Sequence, residues 1–487
     1  MLNIIKAFIK TGLGSVGTIF FGIMSTKIFA LTLGTDGIGL LSILRQFRQT
    51  GFSLAGMSGE SALVQGISSN HDVKRIEYIK SIFLLFLITS FFISVIIFYF
   101  AQRISILLFN SSSINDIFLV RLMIIPVILF VFVAYFRSVL NGYKALGYLA
   151  ITGVISSAAT ALLSYPVSYF INQGFDHAFI LMMIISSSSS ILIALMFLHK
   201  SGWLFGMFSR LTIKKWALTH FYIIAISMMI TGFVHSGTLL LVKGWIVQQW
   251  DISSVGLFDA SWTISMIYIG LITKSLSTYY LPALSEIKDE TEKVLFIRKV
   301  FRIVILCLVP SVVFVISIKG LLIGLLYSSE FKEASLIMRW MLIGDYFKVS
   351  SWVLTFPMIA YANMKIFVIS GLIWWLLFGI SNYFIIFIFN SLEGIGLIYL
   401  ILYAIYFIFS IVYIKKYHKY TFSSGIILQW LIGLAIIIVA SISTWLSAGI
   451  SWVQLFSLCS IVFVYTWYSI TKNEKKIMLK ILRRKKH

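Results

Sequence analysis

The chain has 487 residues, of which 60% are hydrophobic and 11% are charged. Soluble domains carry about 25% charged residues, so this composition excludes a soluble globular protein and indicates an integral membrane protein. The formal net charge of +22 would suggest nucleic-acid binding in a soluble protein. Here the basic residues lie mostly between apolar segments, which is typical of membrane-protein loops, and we expect no nucleic-acid partner.

Apolar segments of about 20 residues, the length that a bilayer requires, recur along the chain. They predict an all-α polytopic membrane protein with about 14 transmembrane helices. Cys307 and Cys459 lie inside these segments and offer neither a disulfide framework nor a metal site. No small-residue cleavage site follows a short apolar core near the start, so we expect no removed signal peptide. The predicted spans are 12–33, 38–69, 81–101, 117–140, 148–171, 178–198, 221–242, 255–281, 303–327, 335–361, 367–389, 395–414, 425–446 and 452–470.

The distribution of lysine and arginine between the loops predicts the orientation. If both termini are cytoplasmic, the outer loops hold only Arg103 and Lys332, alongside several acidic residues. The remaining loop lysines and arginines then lie on the cytoplasmic side, as the positive-inside rule requires. The sequence therefore predicts a multi-pass protein with both termini in the cytoplasm.

A weak internal repeat predicts how the spans are grouped. DGIGLLS at residues 36–42 resembles SSVGLFD at 253–259, an offset of 217, and NGYK at 141–144 resembles ANMK at 362–365 with a similar offset. The shared spacing predicts two pseudo-symmetric six-helix lobes, related as parallel repeats. The predicted divisions are an N-terminal lobe at 1–198, a cytoplasmic linker at 199–219, a C-terminal lobe at 220–418, an extra helix pair at 419–470 and a basic cytoplasmic tail at 471–487.

The second span carries charges that a membrane helix should not contain. If this helix begins near Gly37, a rise of about 1.5 Å per residue places Arg48 roughly 16 Å deep, near the bilayer midplane. A charge at that depth costs at least about 2.5–3.5 kcal/mol unless it faces water or a partner. The segment therefore predicts an aqueous, cationic lumen. On one continuous helix the shared polar face would consist of Arg45, Arg48, Gln49, Phe52, Gly56, Gly59 and Glu60.

Nine basic residues lie inside the predicted spans and a tenth, Lys243, lies at the outer end of the span 221–242, against three acidic residues. Pairing therefore cannot neutralise the interior, and the surplus positive charge favours an anionic substrate. We interpret Arg121, Arg137, Lys319 and Arg339, which lie within two turns of a span boundary, as snorkelling toward the interface. A local ion pair is the alternative for Asp345 and Lys348, which are spaced i, i+3. The candidate anion ligands are Lys27, Arg45, Arg48, Lys243, Lys274 and Lys348, and the coupling-ion candidates are Glu60, Asp259 and Asp345.

The spans show no pattern typical of a metal or cofactor site. His220 and His235 have no second histidine, cysteine or acid at metal-ligand spacing, so we expect neither a metal nor a cofactor. The many tyrosines and tryptophans are typical of interfacial belts. Stacking on sugar rings is an alternative role for Trp262, Tyr268, Trp352 and Tyr361.

Several stretches resemble one family of membrane transporters. They are Lys27 in the first span, residues 40–49, the LPALS sequence at 281–285, and Gly344-Asp345 with Lys348-Val349. Because these stretches occur in this order, the chain resembles the Wzx-type flippases of the multidrug/oligosaccharidyl-lipid/polysaccharide exporter (MOP) superfamily. The resemblance is strongest to the flippases for O-antigen and enterobacterial common antigen. The resemblance extends, with gaps, to about His418. Many such flippases stop after twelve helices, whereas the additional pair here is similar to that of the related lipid II flippases, where it is linked to a lipid groove.

The resemblance implies a MATE-like fold in the bacterial inner membrane. It also implies alternating-access transport of an undecaprenyl-diphosphate-linked oligosaccharide repeat unit from the cytoplasmic to the periplasmic leaflet, for surface polysaccharide assembly. Expected partners are this lipid-linked glycan, membrane lipids, and a polysaccharide polymerase with a chain-length regulator, with the protein itself monomeric. One alternative is a MATE-type cation or drug antiporter, which would need an acid-dominated cavity. A membrane polysaccharide polymerase or acyltransferase would need a large loop or a catalytic histidine with an acidic group. The sequence suggests neither feature, so we expect that the protein is not an enzyme.

Overall fold

A computed structural model describes residues 2–204, 206, 212–360, 363–418, 421–445 and 452–469, and these residues form helices and connecting turns without any β-strand. The all-α architecture follows from the bilayer, where each backbone N–H and C=O must be satisfied within its own segment. In chain order the helices are α1 (Leu2–Thr32), α2 (Gly34–Ala55), α3 (Glu60–Ser69), α4 (Asp72–Phe109), α5 (Ile114–Leu122), α6 (Ile124–Gly142), α7 (Leu146–Asn172), α8 (Ala178–Lys200), α9 (Lys215–Gln249), α10 (Ile252–Ser275), α11 (Leu281–Glu286), α12 (Glu290–Leu326), α13 (Ala334–Ala360), α14 (Met364–Phe387), α15 (Gly394–His418), α16 (Ser424–Ser443) and α17 (Trp452–Ser469).

The helices reproduce the predicted pattern of spans. Among the described residues, ten helical segments are long and apolar enough to cross a membrane. The other four predicted spans coincide with α1, with α2 and α3 together, with α13 and with α17. The prediction of an all-α multi-pass membrane protein is therefore confirmed. The predicted basic tail at 471–487 lies outside the described residues.

The second predicted span is two helices, so its prediction as one continuous helix is wrong. Helix α2 ends at Ala55 and α3 begins at Glu60. Between them, Met57 and Ser58 have positive φ angles of 54° and 44°, a left-handed conformation that ends a right-handed helix. The Thr89 hydroxyl donates to the Ala55 carbonyl at 2.6 Å and satisfies one backbone group that the break sets free. Glu60 therefore does not continue the polar face of α2.

The chain forms two compact units. The first comprises Met1–Asp259, Leu326–Glu330 and Gly371–Asn390. Its core includes the buried rings of Tyr78 and Tyr135, whose hydroxyls donate to backbone carbonyls at 3.0 Å. The bond from Tyr78 joins α4 to α3, whereas the bond from Tyr135 joins α6 to α4, so two buried tyrosines fix the positions of three helices.

The second unit comprises Ala260–Leu325, Phe331–Ser370 and Ser391–His487. Helix α13 is its most thoroughly buried element, with buried residues on all sides. Within this unit Tyr346 of α13 donates to the Trp430 carbonyl of α16 at 2.9 Å, and Trp430 stacks on Phe407 of α15. The first of the two extra helices is thereby attached to the interior of this unit. The predicted lobes at 1–198 and 220–418 stay a prediction.

Candidate functional site

Helix α2 places two arginines one turn apart inside the first unit. Arg45 and Arg48 are both half-buried, and they repel each other electrostatically. The Arg48 guanidinium carbon lies 4.4 Å from the centre of the Phe130 ring, in cation–π contact. The Nε atom of Arg48 is buried and has no hydrogen-bond partner among the described residues. An unsatisfied buried donor on a cation is costly, and it is the kind of group that an anion would satisfy.

Lys243, which is buried, and Asp259, which is half-buried, form an ion pair in the same unit. The Lys243 Nζ lies 2.9 Å from Asp259 Oδ1, and it also donates to the Ser42 hydroxyl at 2.6 Å. The Ser42 hydroxyl in turn donates to Asp259 Oδ1 at 2.5 Å. The carboxylate also attracts Arg45 electrostatically. The structure thus joins two predicted site residues, Lys243 and Asp259, through a serine that the sequence did not single out.

The Ser42–Asp259 contact lies where the two repeat segments cross. Ser42 and Asp259 are equivalent positions of the predicted repeat, 217 residues apart. Gly39 and Gly256 are equivalent too, and each faces the backbone of the opposite segment. A Cβ on Gly39 would lie 2.0 Å from the Ile252 carbonyl oxygen, and one on Gly256 would lie 2.2 Å from that of Thr35. The repeat therefore corresponds to a locally symmetric crossing that only glycine permits.

Two other predicted anion ligands have different environments. The Lys27 ammonium of α1 donates to the backbone carbonyl of Tyr327 in the first unit. Lys274 lies in the last turn of α10, in the second unit, and is exposed. Each of the two therefore lies on a different helix from the arginines of α2.

Glu60 lies at the start of α3 and lines a cavity of about 550 Å³ in the first unit. The cavity is also lined by Arg137 of α6, which attracts the Glu60 carboxylate electrostatically. Sequence reasoning assigned Arg137 to snorkelling and did not place it near Glu60. The two residues are 77 positions apart, and no local spacing connects them.

In the second unit Asp345 lies at the centre of a buried hydrogen-bond network. Its carboxylate accepts from Tyr268 at 2.5 Å and from Tyr399 at 2.7 Å. The Ser265 hydroxyl lies 2.9 and 2.8 Å from the two carboxylate oxygens. Asp345 is fully buried, so these hydroxyls replace the water that an ionised carboxylate would otherwise bind.

Lys348 completes this network. Its ammonium donates to the Tyr399 hydroxyl at 3.0 Å, so Tyr399 connects the lysine to the aspartate. The ammonium also lies 4.9 Å from the Trp352 ring centre, 5.1 Å from that of Tyr403 and 5.9 Å from that of Trp262. Three aromatic residues considered for sugar stacking, Trp262, Tyr268 and Trp352, thus surround Lys348 and Asp345, while Tyr361 lies outside the described residues. Ser265, Tyr399 and Tyr403 were not predicted.

Residues 36–336 match the family of proteins described as "Polysaccharide biosynthesis protein". The chain belongs to this family. Lipid III flippase of Escherichia coli (strain K12) is 22% identical over 385 residues, which cover 76% of this chain and 88% of that protein. Lipid III flippase of Shigella flexneri matches to the same extent.

Solved structures show the fold of this polysaccharide biosynthesis family member. Lipid II flippase MurJ in an inward closed conformation superimposes with a TM-score of 0.69 at 16% identity, covering 98% of this chain and 99% of MurJ. An inward-facing MATE family transporter of the MOP superfamily gives a TM-score of 0.61 at 14% identity, covering 82% and 96%. The predicted MATE-like architecture is confirmed. The named relatives are flippases and transporters, in agreement with the expectation of a transporter.

Proposed function

We propose that this protein is a flippase for an undecaprenyl-diphosphate-linked oligosaccharide repeat unit in the bacterial inner membrane. It moves the repeat unit from the cytoplasmic to the periplasmic leaflet by alternating access, for assembly of O-antigen or common antigen. The similarity to lipid III flippases supports a lipid-linked substrate. The observation that carries the proposal is Arg48, a cation in a membrane span whose buried Nε has no hydrogen-bond partner among the described residues.

The chemistry of the substrate requires such cations. A diphosphate bearing a glycan cannot cross hydrocarbon unaided, because each unpaired polar group costs several kcal/mol. Arginine binds phosphate oxygens through two parallel charge-assisted hydrogen bonds, so Arg48 and Arg45 are the primary diphosphate ligands. Lys27 and Lys243 of the same unit are the secondary ligands, which give up or share their present contacts. Lys274 and Lys348 of the second unit stay predicted anion ligands.

Three acidic residues are proposed as coupling-ion sites, and they differ in how readily an ion reaches each carboxylate. Glu60 is exposed and lines a cavity, so a proton from water reaches its carboxylate without breaking a hydrogen bond. Asp259 is held by Lys243 and Ser42, and Asp345 by three hydroxyl donors. Coupling at Asp259 or Asp345 requires these bonds to break during transport. Both termini are proposed to be cytoplasmic, the protein to be a monomer, and its partners to be membrane lipids, a polymerase and a chain-length regulator.

The test is complementation in cells that lack the wild-type protein. Arg48→Ala is expected to reduce surface polysaccharide at least tenfold, since a charged hydrogen bond contributes about 1.5–3 kcal/mol. Lipid-linked glycan should accumulate in the cytoplasmic leaflet. Arg121→Ala is the matched control, because Arg121 contacts the Phe98 ring near a span boundary and should leave export unchanged.

The opposite outcome would favour the antiporter. Normal surface glycan in an Arg48→Ala, Arg45→Ala double variant would contradict the cationic site. Export of a fluorescent cation by the wild-type protein, without any effect on surface glycan, would point to drug transport instead.

A further inference from the structure

Helix α3 has two chemically different faces. The side of α3 that packs against the protein is small and apolar, and its buried residues are Ala62, Leu63, Gly66 and Ile67. The opposite side lines the cavity of about 550 Å³ with Glu60, Ser61, Val64, Gln65 and Ser68. Polar side chains on one face of a helix in a predicted membrane span require water or a polar ligand beside them.

Helix α6 supplies the facing polar groups. Arg137, Ser138 and Asn141 line the same cavity, at the end of α6 where α7 begins with Leu149 nearby. In the part of the chain that the structure describes, the side chains of Glu60, Gln65, Arg137 and Asn141 make no hydrogen bond. The cavity therefore presents a carboxylate, a guanidinium and two amides that are available to a ligand.

The charges of the cavity select among ligands. Glu60 and Arg137 carry opposite charges and attract each other, so their charges cancel within the cavity. A diphosphate would be repelled by Glu60, whereas a simple cation would be repelled by Arg137. A neutral molecule with many hydroxyls can donate to Glu60, accept from Arg137 and do both with the amides. Pockets of about 300–1,000 Å³ hold drug-sized ligands, a range that includes one or two sugar rings.

We infer that this cavity, between α3 and the end of α6, is a binding subsite for sugar residues of the transported glycan. The inference rests on the proposed function and assigns a separate part of the substrate to a separate site. The arginines of α2 hold the diphosphate, and the charge-balanced cavity holds uncharged sugar. The loops that flank the cavity are those predicted to be cytoplasmic, which is the side where the glycan enters.

The experiment compares two lipids on the full-length purified protein in nanodiscs. One is the undecaprenyl-diphosphate-linked glycan extracted from producer cells lacking this protein, and the other is undecaprenyl diphosphate without sugar. Gln65→Leu with Asn141→Leu removes both amides at nearly constant volume. This double variant is expected to bind the glycan lipid on the order of tenfold more weakly, while its affinity for the sugar-free lipid stays unchanged.

The sugar-free lipid also reports correct folding, and Gln173→Leu provides the matched control. Gln173 is an exposed amide at the other end of α7, and its replacement should change neither affinity. Equal affinity of the double variant and the wild type for the glycan lipid would overturn the subsite. An equal loss for both lipids would overturn it as well, because the cavity would then act on the diphosphate or on folding. Arg48→Ala should weaken the binding of both lipids. Unchanged binding of both would contradict the proposed function, whatever the result for the sugar subsite.

Discussion

The charged side chains of this protein differ mainly in whether hydrogen-bond partners and counter-charges within the protein already satisfy them. Asp345 and Lys348 are buried and joined through Tyr399, whereas Arg48 has a buried Nε without a partner among the described residues. Burying an ion is expensive, and hydrogen bonds offset that cost only when both charges keep their partners. We therefore assign a mainly stabilising contribution to the Asp345–Lys348 pair in the resting protein.

This assignment predicts that a second substitution, at Lys348, restores part of the stability that is lost when Asp345 is replaced. Asp345→Asn leaves the Lys348 ammonium buried without its counter-charge and should lower the free energy of unfolding by about 3–5 kcal/mol. Adding Lys348→Met removes the stranded charge, so the double variant should be more stable than Asp345→Asn alone. Thermal unfolding of the purified protein measures both changes. Tyr468→Phe, a hydroxyl deletion at a side chain that is 83% exposed, should have no effect. Equal destabilisation in single and double variants would contradict the pairing.

At the scale of elements, close helix crossings and helix breaks determine where the charges lie. The crossing of α2 with the start of α10 brings Ser42 to Asp259, and it depends on glycine at two equivalent positions. The break after Ala55 turns α3 away from the polar face of α2. The sequence revealed the repeat but not the break, because glycine is common in transmembrane helices and Gly56 and Gly59 alone do not predict a left-handed turn.

The crossing gives a prediction at the same scale. Gly39→Ala places a methyl group 2.0 Å from the Ile252 carbonyl oxygen, so backbone must move. Overpacking of this kind typically costs about 1–3 kcal/mol, and the melting temperature should fall accordingly. Gly22→Ala in α1 is the control, because its Cβ would meet nothing within 4 Å and alanine favours helix. An unchanged melting temperature for Gly39→Ala would show that the two segments are not in close contact.

At the scale of the whole molecule, the sequence predicted the fold class, which depends on composition, and missed the contacts between residues that are far apart in the chain. Hydrophobic segments of bilayer length were sufficient to predict an all-α multi-pass protein. The partners of Asp345 come from positions 54 to 80 residues away, beyond any helical spacing. The i, i+3 spacing predicted a local ion pair between Asp345 and Lys348, but it could not predict that Tyr399 joins their side chains. Arg137 was missed for the same reason, since its neighbour Glu60 is on another helix.

Orientation is a property of the whole chain, and the loop charges predict it. The outer loops carry Arg103 and Lys332, whereas Lys288 belongs to the segment predicted to be cytoplasmic. Lys288 and Lys332 are both exposed, so each can be replaced by cysteine without loss of packing. In a background with Cys307→Ser and Cys459→Ser, a membrane-impermeant maleimide added to intact spheroplasts should label Lys332→Cys but not Lys288→Cys. After permeabilisation both should react. The reverse labelling pattern would place the termini in the periplasm and the sugar cavity on the exit side.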